Sequence, residues 1–170
     1  YSTALSVIAL AAVSAPYVCQ AQDPAGKFKR ITALSESGKV DEALKMCDEM
    51  LKYFAGKSRT VQQYGFYEPF FVWKKGELLM AAKKYDEAYE TYKRLNTDAK
   101  FQDKAMRDRA KRRKLLNGQG FDPYLTASQY YMGACMYQKG VGDSKKGVAP
   151  DPAAFDKAIP VLKEYLDLYQ

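Results

Sequence analysis

The sequence predicts an all-α protein, an α-solenoid of about three helical hairpins that follows a signal peptide. Two observations carry this prediction. The chain holds 14 Tyr, 8 Phe and 1 Trp, while its β-branched residues are few and scattered, which favours packed helices over sheets. A short cluster of residues also occurs three times, each time at the start of a helical pattern. We therefore expect almost no strand.

The recurring cluster has the order bulky apolar residue, Asp, charged residue, Ala. It occurs as Val40-Asp41-Glu42-Ala43, Tyr85-Asp86-Glu87-Ala88 and Phe155-Asp156-Lys157-Ala158. Bulky or apolar residues follow each Ala after four and after seven positions, which places them on one helix face. These residues are Cys47 and Met50, Tyr92 and Leu95, and Leu162 and Tyr165. Acidic residues in a first turn suit the positive end of the helix dipole, so each cluster predicts the start of an amphipathic helix.

A second helical pattern lies upstream of each cluster, at residues 27–37, 69–82 and 125–139. In the middle unit, Gly76 lies twelve residues before Ala88, and a turn at 82–84 separates the two helices. Each unit is therefore expected to be a helical hairpin. The predicted domain covers residues 22–170, with units at about 25–55, 66–97 and 125–169 and a basic connecting helix at 98–116.

The middle unit resembles the tetratricopeptide repeat. The residues that carry this resemblance are Trp73, Gly76, Leu79, Tyr85, Asp86, Ala88, Tyr92 and Leu95. The other two units are degenerate, with Ile31 at the small position of the first and an insertion in the third. The Ala-to-Ala spacings are 45 and 70 rather than the family's ~34, which implies an irregular array. The resemblance implies that Gly76 packs against Ala88. Separately, Pro160 is expected to bend the last helix.

The resemblance also implies a function. In this family the first helix of each hairpin lines a concave surface that holds a peptide or a partner helix. Carried onto this chain, that surface would comprise Phe70, Trp73, Glu77, Met80, Tyr130, Ala134 and Tyr137. Aromatic residues at helical spacing also fill cores, so Glu77, Met80 and Tyr137 are the residues we expect to be exposed.

Residues 1–21 carry no charge and include an apolar run followed by Pro16 and small residues, as the later part of a signal peptide does. The apolar run of roughly 13 residues is short for a membrane span of about 20, so cleavage after Ala21 is favoured over an N-terminal membrane anchor. Acylation at Cys19 is a weaker alternative. We expect an exported protein, periplasmic or associated with the bacterial cell envelope.

The segment 98–116 is strongly basic: eight Lys or Arg against three Asp give +5 of the chain's +7. Its candidate residues for an anionic partner are Arg109, Lys111, Arg112 and Arg113. Runs of charge are usually solvated, and we favour a connecting helix over binding to an anionic protein, envelope surface or polymer. Nucleic acid is disfavoured because the run lacks interleaved aromatic residues after Phe101.

No catalytic or cofactor site is predicted. The chain has no histidine, the usual base for a Ser or Cys nucleophile. Gly142 and Gly147 have the spacing of a phosphate loop but lack the Lys and Ser or Thr that follow it. Cys47 and Cys135 are expected to be buried thiols, and two cysteines are too few for a zinc site, so we predict no metal.

These observations predict a non-enzymatic scaffold that binds another protein or peptide. Two alternatives remain: binding of an anionic envelope surface through 98–116, and a helper region at the N-terminus of a longer enzyme or assembly factor. A degenerate repeat is informative about shape and says little about the ligand, so the partner's identity stays open.

Overall fold

A computed structural model describes residues 23–55, 67–101, 126–142, 147 and 149–167. These residues form six α-helices and contain no strand, which confirms the prediction of an all-α protein. The helices are α1 (Pro24–Glu36), α2 (Val40–Ala55), α3 (Glu68–Ala81), α4 (Tyr85–Thr97), α5 (Thr126–Val141) and α6 (Ala154–Asp167). None of them combines the length and apolar composition that a membrane span requires. The predicted signal peptide at 1–21 lies outside the described residues.

The first hairpin is defined by local signals at its start and its turn. The Asp23 side chain accepts hydrogen bonds from the backbone N–H groups of Ala25 and Gly26, and Pro24 occupies the first helical position. At the other end of α1, Gly38 adopts a φ of 78°, and the N–H of Lys39 donates to the carbonyl of Leu34. This left-handed glycine cap ends α1 and lets α2 begin at Val40.

The second hairpin has the same turn with a different residue at its centre. Lys83 takes the left-handed position with a φ of 61°, and the N–H of Lys84 donates to the carbonyl of Leu79. The bond from Lys83 to Met80 matches that from Gly38 to Ser35 in the first hairpin. Two hairpins thus share one turn geometry, although only one of them uses glycine.

The third hairpin has a longer connection. The Lys139 ammonium joins it to the second hairpin through Asp86 at 2.9 Å and to its own connection through Asp151 at 3.2 Å. Pro160 lies inside α6, and the helix continues on both sides of it. Because proline has no N–H, the carbonyl of Asp156 loses its usual helical partner.

The helices pack mainly on their neighbours in chain order, from α1 on α2 through to α5 on α6. The first helices of successive hairpins also meet. Phe28 of α1 lies edge-to-face with Phe71 of α3 at 5.6 Å, and Trp73 of α3 lies edge-to-face with Tyr131 of α5 at 4.7 Å. Large buried side chains from five helices share one core, among them Ile31, Met50, Phe71, Leu79, Tyr92 and Met136.

Glycines allow the two helices of a hairpin to approach closely. A Cβ added to Gly76 would lie 2.5 Å from the ring of Tyr92, and one added to Gly133 would lie 2.4 Å from Leu162. The closest atoms to that Cβ position at Gly76 therefore belong to Tyr92 rather than to Ala88, the partner that the family resemblance implied. Tyr92 and Leu162 both follow the Ala of their cluster by four residues, so the pairing is the same in the two hairpins.

The first hairpin reverses this pairing of small and large residues. Ile31 stands at the position of Gly76, and Cys47 stands at the position of Tyr92. Both are fully buried. By chain position, the first hairpin therefore has its large residue on the first helix and its small one on the second.

The basic segment begins differently from its prediction as a helix at 98–116. Helix α4 ends at Thr97, Asp98 is extended with a ψ of 115°, and the N–H of Phe101 donates to the carbonyl of Asp98. Residues 98–101 therefore form a turn, because the Asp98 backbone leaves the helical region. The rest of the segment lies outside the described residues.

Candidate interaction surface

Two of the predicted partner-binding residues belong to the core. Phe70 is 3% exposed and Trp73 is 2% exposed. The Trp73 ring lies against Tyr92 at 5.0 Å and against Tyr131 at 4.7 Å. These rings hold α3, α4 and α5 together, so a partner could reach them only after the helices separate.

Glu77 and Met80 follow on the same helix and are partly exposed. The Glu77 carboxylate accepts a hydrogen bond from the ammonium of Lys74 at 2.9 Å, and the Glu77 side chain remains 39% exposed. A carboxylate that is held on one side and open on the other can accept a second cation. This part of α3 therefore presents an acid beside a flexible apolar side chain.

Helix α5 carries the most exposed apolar residues of this surface. Tyr130 is 45% exposed, Tyr137 is 49% exposed, and Ala134 between them is partly exposed. Val141, which was not among the predicted surface residues, continues the line at 48% exposure. The spacing of four, three and four residues puts all of them on one side of α5. We call Tyr130, Ala134, Tyr137 and Val141 the aromatic stripe.

The rings of the aromatic stripe are supported from behind. The Tyr130 ring contacts the ring of Tyr131 at 5.2 Å and that of Tyr165 at 5.5 Å. The Tyr137 ring contacts Phe155 at 5.7 Å. Edge-to-face neighbours restrict the rotation of an exposed ring, so less entropy is lost when a partner covers it.

One buried polar atom lies behind this surface. The Tyr92 hydroxyl has no hydrogen-bond partner, and the residue is fully buried. Burial strongly raises the pKa of Tyr92, and the nearby Glu77 carboxylate adds to the rise. The phenol therefore stays protonated, and it cannot serve as a base or a nucleophile near neutral pH.

Both described cysteines are buried free thiols. Burial raises the pKa of Cys47 to about 12, and the Cys47 thiol donates to the carbonyl of Phe71 at 3.1 Å. Burial likewise raises the pKa of Cys135 to about 12. A thiol that stays protonated is a poor nucleophile and a poor metal ligand. No group of three or more metal-binding side chains occurs among the described residues.

A charged groove on α2, α3 and α4 was not predicted from the sequence. Its cavity of about 410 Å³ is lined by two leucines and eight charged residues: Leu44, Leu79, Asp41, Asp48, Glu49, Glu87, Lys45, Lys52, Lys75 and Lys84. Lys75 and Asp48 form an ion pair across it at 2.7 Å. Four acids and four bases balance, so the groove favours neither anions nor cations, and sequence spacing cannot reveal it because three helices contribute.

The described part of the basic segment is used inside the molecule. Lys100 pairs with Glu68 at the start of α3 and with Asp98, and its ammonium lies 4.8 Å from the ring centre of Phe101. It is therefore not available as an anion site. The candidate residues Arg109, Lys111, Arg112 and Arg113 lie outside the described residues.

No family model matches the chain, and no curated protein or solved structure is significantly similar to it. We therefore infer function from the arrangement of the described side chains. The aromatic stripe is the feature that points outward: large rings are exposed on one helix and supported by rings behind them.

Proposed function

We propose that the protein is a non-enzymatic scaffold that binds another protein or a peptide through Glu77, Met80 and the aromatic stripe. The observation that carries this proposal is the near half-exposure of both Tyr130 and Tyr137 on a helix whose other sides are packed. Tyr side chains bury much area and have few rotatable bonds to freeze, which makes them effective anchors. The partly open Glu77 carboxylate favours a basic residue on the partner.

We further propose that the hairpins form a tetratricopeptide-like solenoid. Successive packing in chain order, the shared turn at Gly38 and Lys83, and the shared glycine contact at Gly76 and Gly133 support it. In such an array the first helices of the hairpins line one surface. Helices α3 and α5, which carry the proposed surface, are both first helices.

The proposal places this scaffold in the bacterial cell envelope or periplasm, because of the predicted signal peptide. The two alternatives predicted from the sequence remain open proposals. Binding of an anionic envelope surface by the basic segment is favoured by its net charge of +5. Such binding would weaken steeply with salt, since exposed charge is screened over about 10 Å at 0.1 M salt. The full open reading frame tests the third reading, a helper region of a longer protein.

A pull-down from envelope extract tests the scaffold proposal with three variants. In Ala134→Arg, a long charged side chain occupies the middle of the aromatic stripe. Ala33→Arg makes the same change at an exposed alanine of α1 and serves as the matched control. The third variant neutralises Arg109, Lys111, Arg112 and Arg113.

The scaffold proposal expects a discrete partner that is lost with Ala134→Arg and retained by the other two variants. Capture that disappears only when the basic residues are neutralised would replace this proposal with the anionic-surface reading. Capture that survives all three changes would show that the partner does not bind the aromatic stripe.

A further inference from the structure

At the joint between the second and third hairpins, α5 packs on α3 and α4, and its contacts show how this chain binds a helix. The Tyr131 ring of α5 lies 4.7 Å from Trp73 and 5.4 Å from Tyr92. Ion pairing and hydrogen bonding fix the two ends of the joint. Lys139 pairs with Asp86 at 2.9 Å, and the Ser128 hydroxyl donates to Asn96 at 3.0 Å. An aromatic residue in the middle and a basic residue eight positions later thus define the docking helix.

The third hairpin has residues at the positions that correspond to the α5-binding residues of the second hairpin. Aligning Ala88 with Ala158, and Gly76 with Gly133, gives the correspondence by chain position. Trp73, Asp86 and Asn96, which contact α5, become Tyr130, Asp156 and Leu166, and Tyr89 on the same helix as Asp86 becomes Ile159. We call Tyr130, Asp156, Ile159 and Leu166 the terminal face.

The terminal face is open and mostly apolar. Ile159 is 62% exposed, Leu166 is 56% exposed, and Tyr130 is 45% exposed. Asp156 is also exposed and forms no ion pair with any residue that the structure describes. Exposed apolar side chains of this size on adjacent helices mark an interaction site. No described helix packs on this side of α6.

The terminal face is also held in place for docking. Tyr130 contacts Tyr165 of α6, and Leu162 of α6 fills the space at Gly133 of α5. The two helices that form the face are therefore packed on each other before any partner arrives. The acid at Asp156 lies at the start of α6, as Asp86 lies at the start of α4.

A second copy added head to tail does not supply the docking helix. By the same alignment, α1 presents Lys29 and Arg30 where α5 presents Tyr131 and Met132. Both α1 residues are exposed and charged. Placing them on Ile159 and Leu166 would desolvate charge against an apolar surface, which is unfavourable.

We propose that the terminal face binds an amphipathic helix of a partner protein, with an aromatic residue that inserts beside Tyr130 and a basic residue eight positions later that pairs with Asp156. This interface does not require Glu77, Met80, Tyr137 or Val141, and it shares Tyr130 with the aromatic stripe. Its recognition mode is a helix seated across a helical hairpin.

Helix α5 itself provides a probe for the terminal face. We would use a fluorescein-labelled peptide of residues 126–141 with Cys135→Ser to prevent oxidation and Ser128→Leu to match Leu166. It contains Tyr131 and Lys139 at the required spacing. Binding to the full chain is measured by fluorescence anisotropy, and circular dichroism of each protein variant checks that the fold is retained.

The expected result is saturable binding that Ile159→Glu weakens by roughly tenfold or more, since a charge would replace an exposed apolar contact. Asp156→Lys should weaken binding by up to about fivefold, as expected for one exposed ion pair. A peptide with Lys139→Glu should regain affinity for Asp156→Lys. Asp41→Lys removes the corresponding acid from α2 and should leave binding unchanged.

Two results would overturn the proposal. One is equal binding of the peptide to the native chain, Ile159→Glu and Asp156→Lys, which would place the peptide elsewhere. The other is a dimer in sedimentation velocity that Ile159→Glu converts to a monomer, which would make a second copy the occupant. Ile159→Glu should still capture the scaffold's partner in the pull-down, because Ile159 lies outside the aromatic stripe, so a failed scaffold proposal and a failed terminal face give different results.

Discussion

The second and third hairpins share one design and differ in what covers them. Gly76 lies against Tyr92 in one, and Gly133 lies against Leu162 in the other. Tyr92 is fully buried because α5 seals the second hairpin, whereas Leu162 is only partly buried. The difference shows that a residue's place within its own hairpin does not decide its burial in this chain. The helix that packs next on the hairpin decides it.

Truncating Tyr92 and Leu162 should give the largest difference in stability loss between the second hairpin, which α5 covers, and the third. We expect Tyr92→Ala to lower the free energy of unfolding by about 3–5 kcal/mol, because a ring is removed from a closed core. Leu162→Ala should cost about 1–2 kcal/mol, since that side chain is partly exposed and its surroundings can relax. Urea denaturation followed by circular dichroism measures both, and equal losses would contradict the comparison.

Tyr92→Phe isolates the hydroxyl from the ring. Because the buried hydroxyl has no partner, its removal should leave stability unchanged or raise it by up to about 1 kcal/mol. A loss of more than about 1 kcal/mol would show that the hydroxyl is satisfied in solution, for example by a buried water molecule.

Alkaline pH should lower the free energy of unfolding through the buried thiols of Cys47 and Cys135. The pKa values of Cys47 and Cys135 are about 12 in the fold, above the ordinary 9.0, so the folded state keeps protons that the unfolded state releases. The contribution of these protonated thiols to the free energy of unfolding is complete below pH 9.0 and is lost as pH rises towards 12. Between about pH 8.5 and about pH 10 we expect each thiol to remove about 1 kcal/mol from the free energy of unfolding.

Urea denaturation at several pH values measures this slope. The double variant Cys47→Ala, Cys135→Ala is the control, and its stability should fall less steeply over the same pH range. Matching slopes for the variant and the native chain would mean that the thiols titrate at their ordinary pKa in the fold. At about pH 8, the native thiols should also resist a thiol-specific reagent until the chain is unfolded.

A methyl group at each glycine tests the two helix contacts directly. Gly76→Ala places a Cβ at 2.5 Å from the buried Tyr92 ring, and a ring in a sealed core has little room to move. We expect a loss of about 1–2 kcal/mol after the helix-propensity gain of alanine is included. Gly133→Ala places a Cβ at 2.4 Å from Cδ2 and Cγ of Leu162, and it should cost less than about 1 kcal/mol because the partly exposed leucine can move aside.

Thermal unfolding measures both glycine variants, and Gly76→Ala also has a control inside its hairpin. Combining Gly76→Ala with Tyr92→Leu should recover part of the loss, because a smaller side chain leaves space for the methyl group. Additive losses in that double variant would show that the two residues do not share a contact in solution.

The parts of this fold that were predictable from sequence depend on local signals. The hairpin helices were expected from the Asp-containing clusters and their apolar spacing, because caps, dipoles and amphipathic faces are written in neighbouring residues. Trp73 and Tyr130 show the limit. They hold corresponding positions and were expected on one surface, yet one is 2% exposed and the other 45% exposed. Only the position of the next helix distinguishes them.

Other features of the candidate surfaces needed the tertiary structure. The atoms closest to a Cβ added at Gly76 belong to Tyr92 rather than to Ala88, and a spacing rule does not encode ring size. The charged groove draws on three helices, so no local pattern announces it. Val141 could have been found, since it continues the four, three, four spacing of the aromatic stripe.

The turns of the first two hairpins give a small expected effect and a matched pair of changes. Gly38 and Lys83 occupy the same left-handed position, with φ values of 78° and 61°. Lys83→Gly should raise the free energy of unfolding by about 0.5–1 kcal/mol, because glycine adopts this conformation without a Cβ clash. Gly38→Ala should lower it by about 1 kcal/mol for the converse reason, since nothing else lies within 4 Å of an added Cβ there. Differential scanning calorimetry of both variants measures the pair, and a loss of stability in Lys83→Gly would show that contacts of the lysine side chain outweigh the backbone strain.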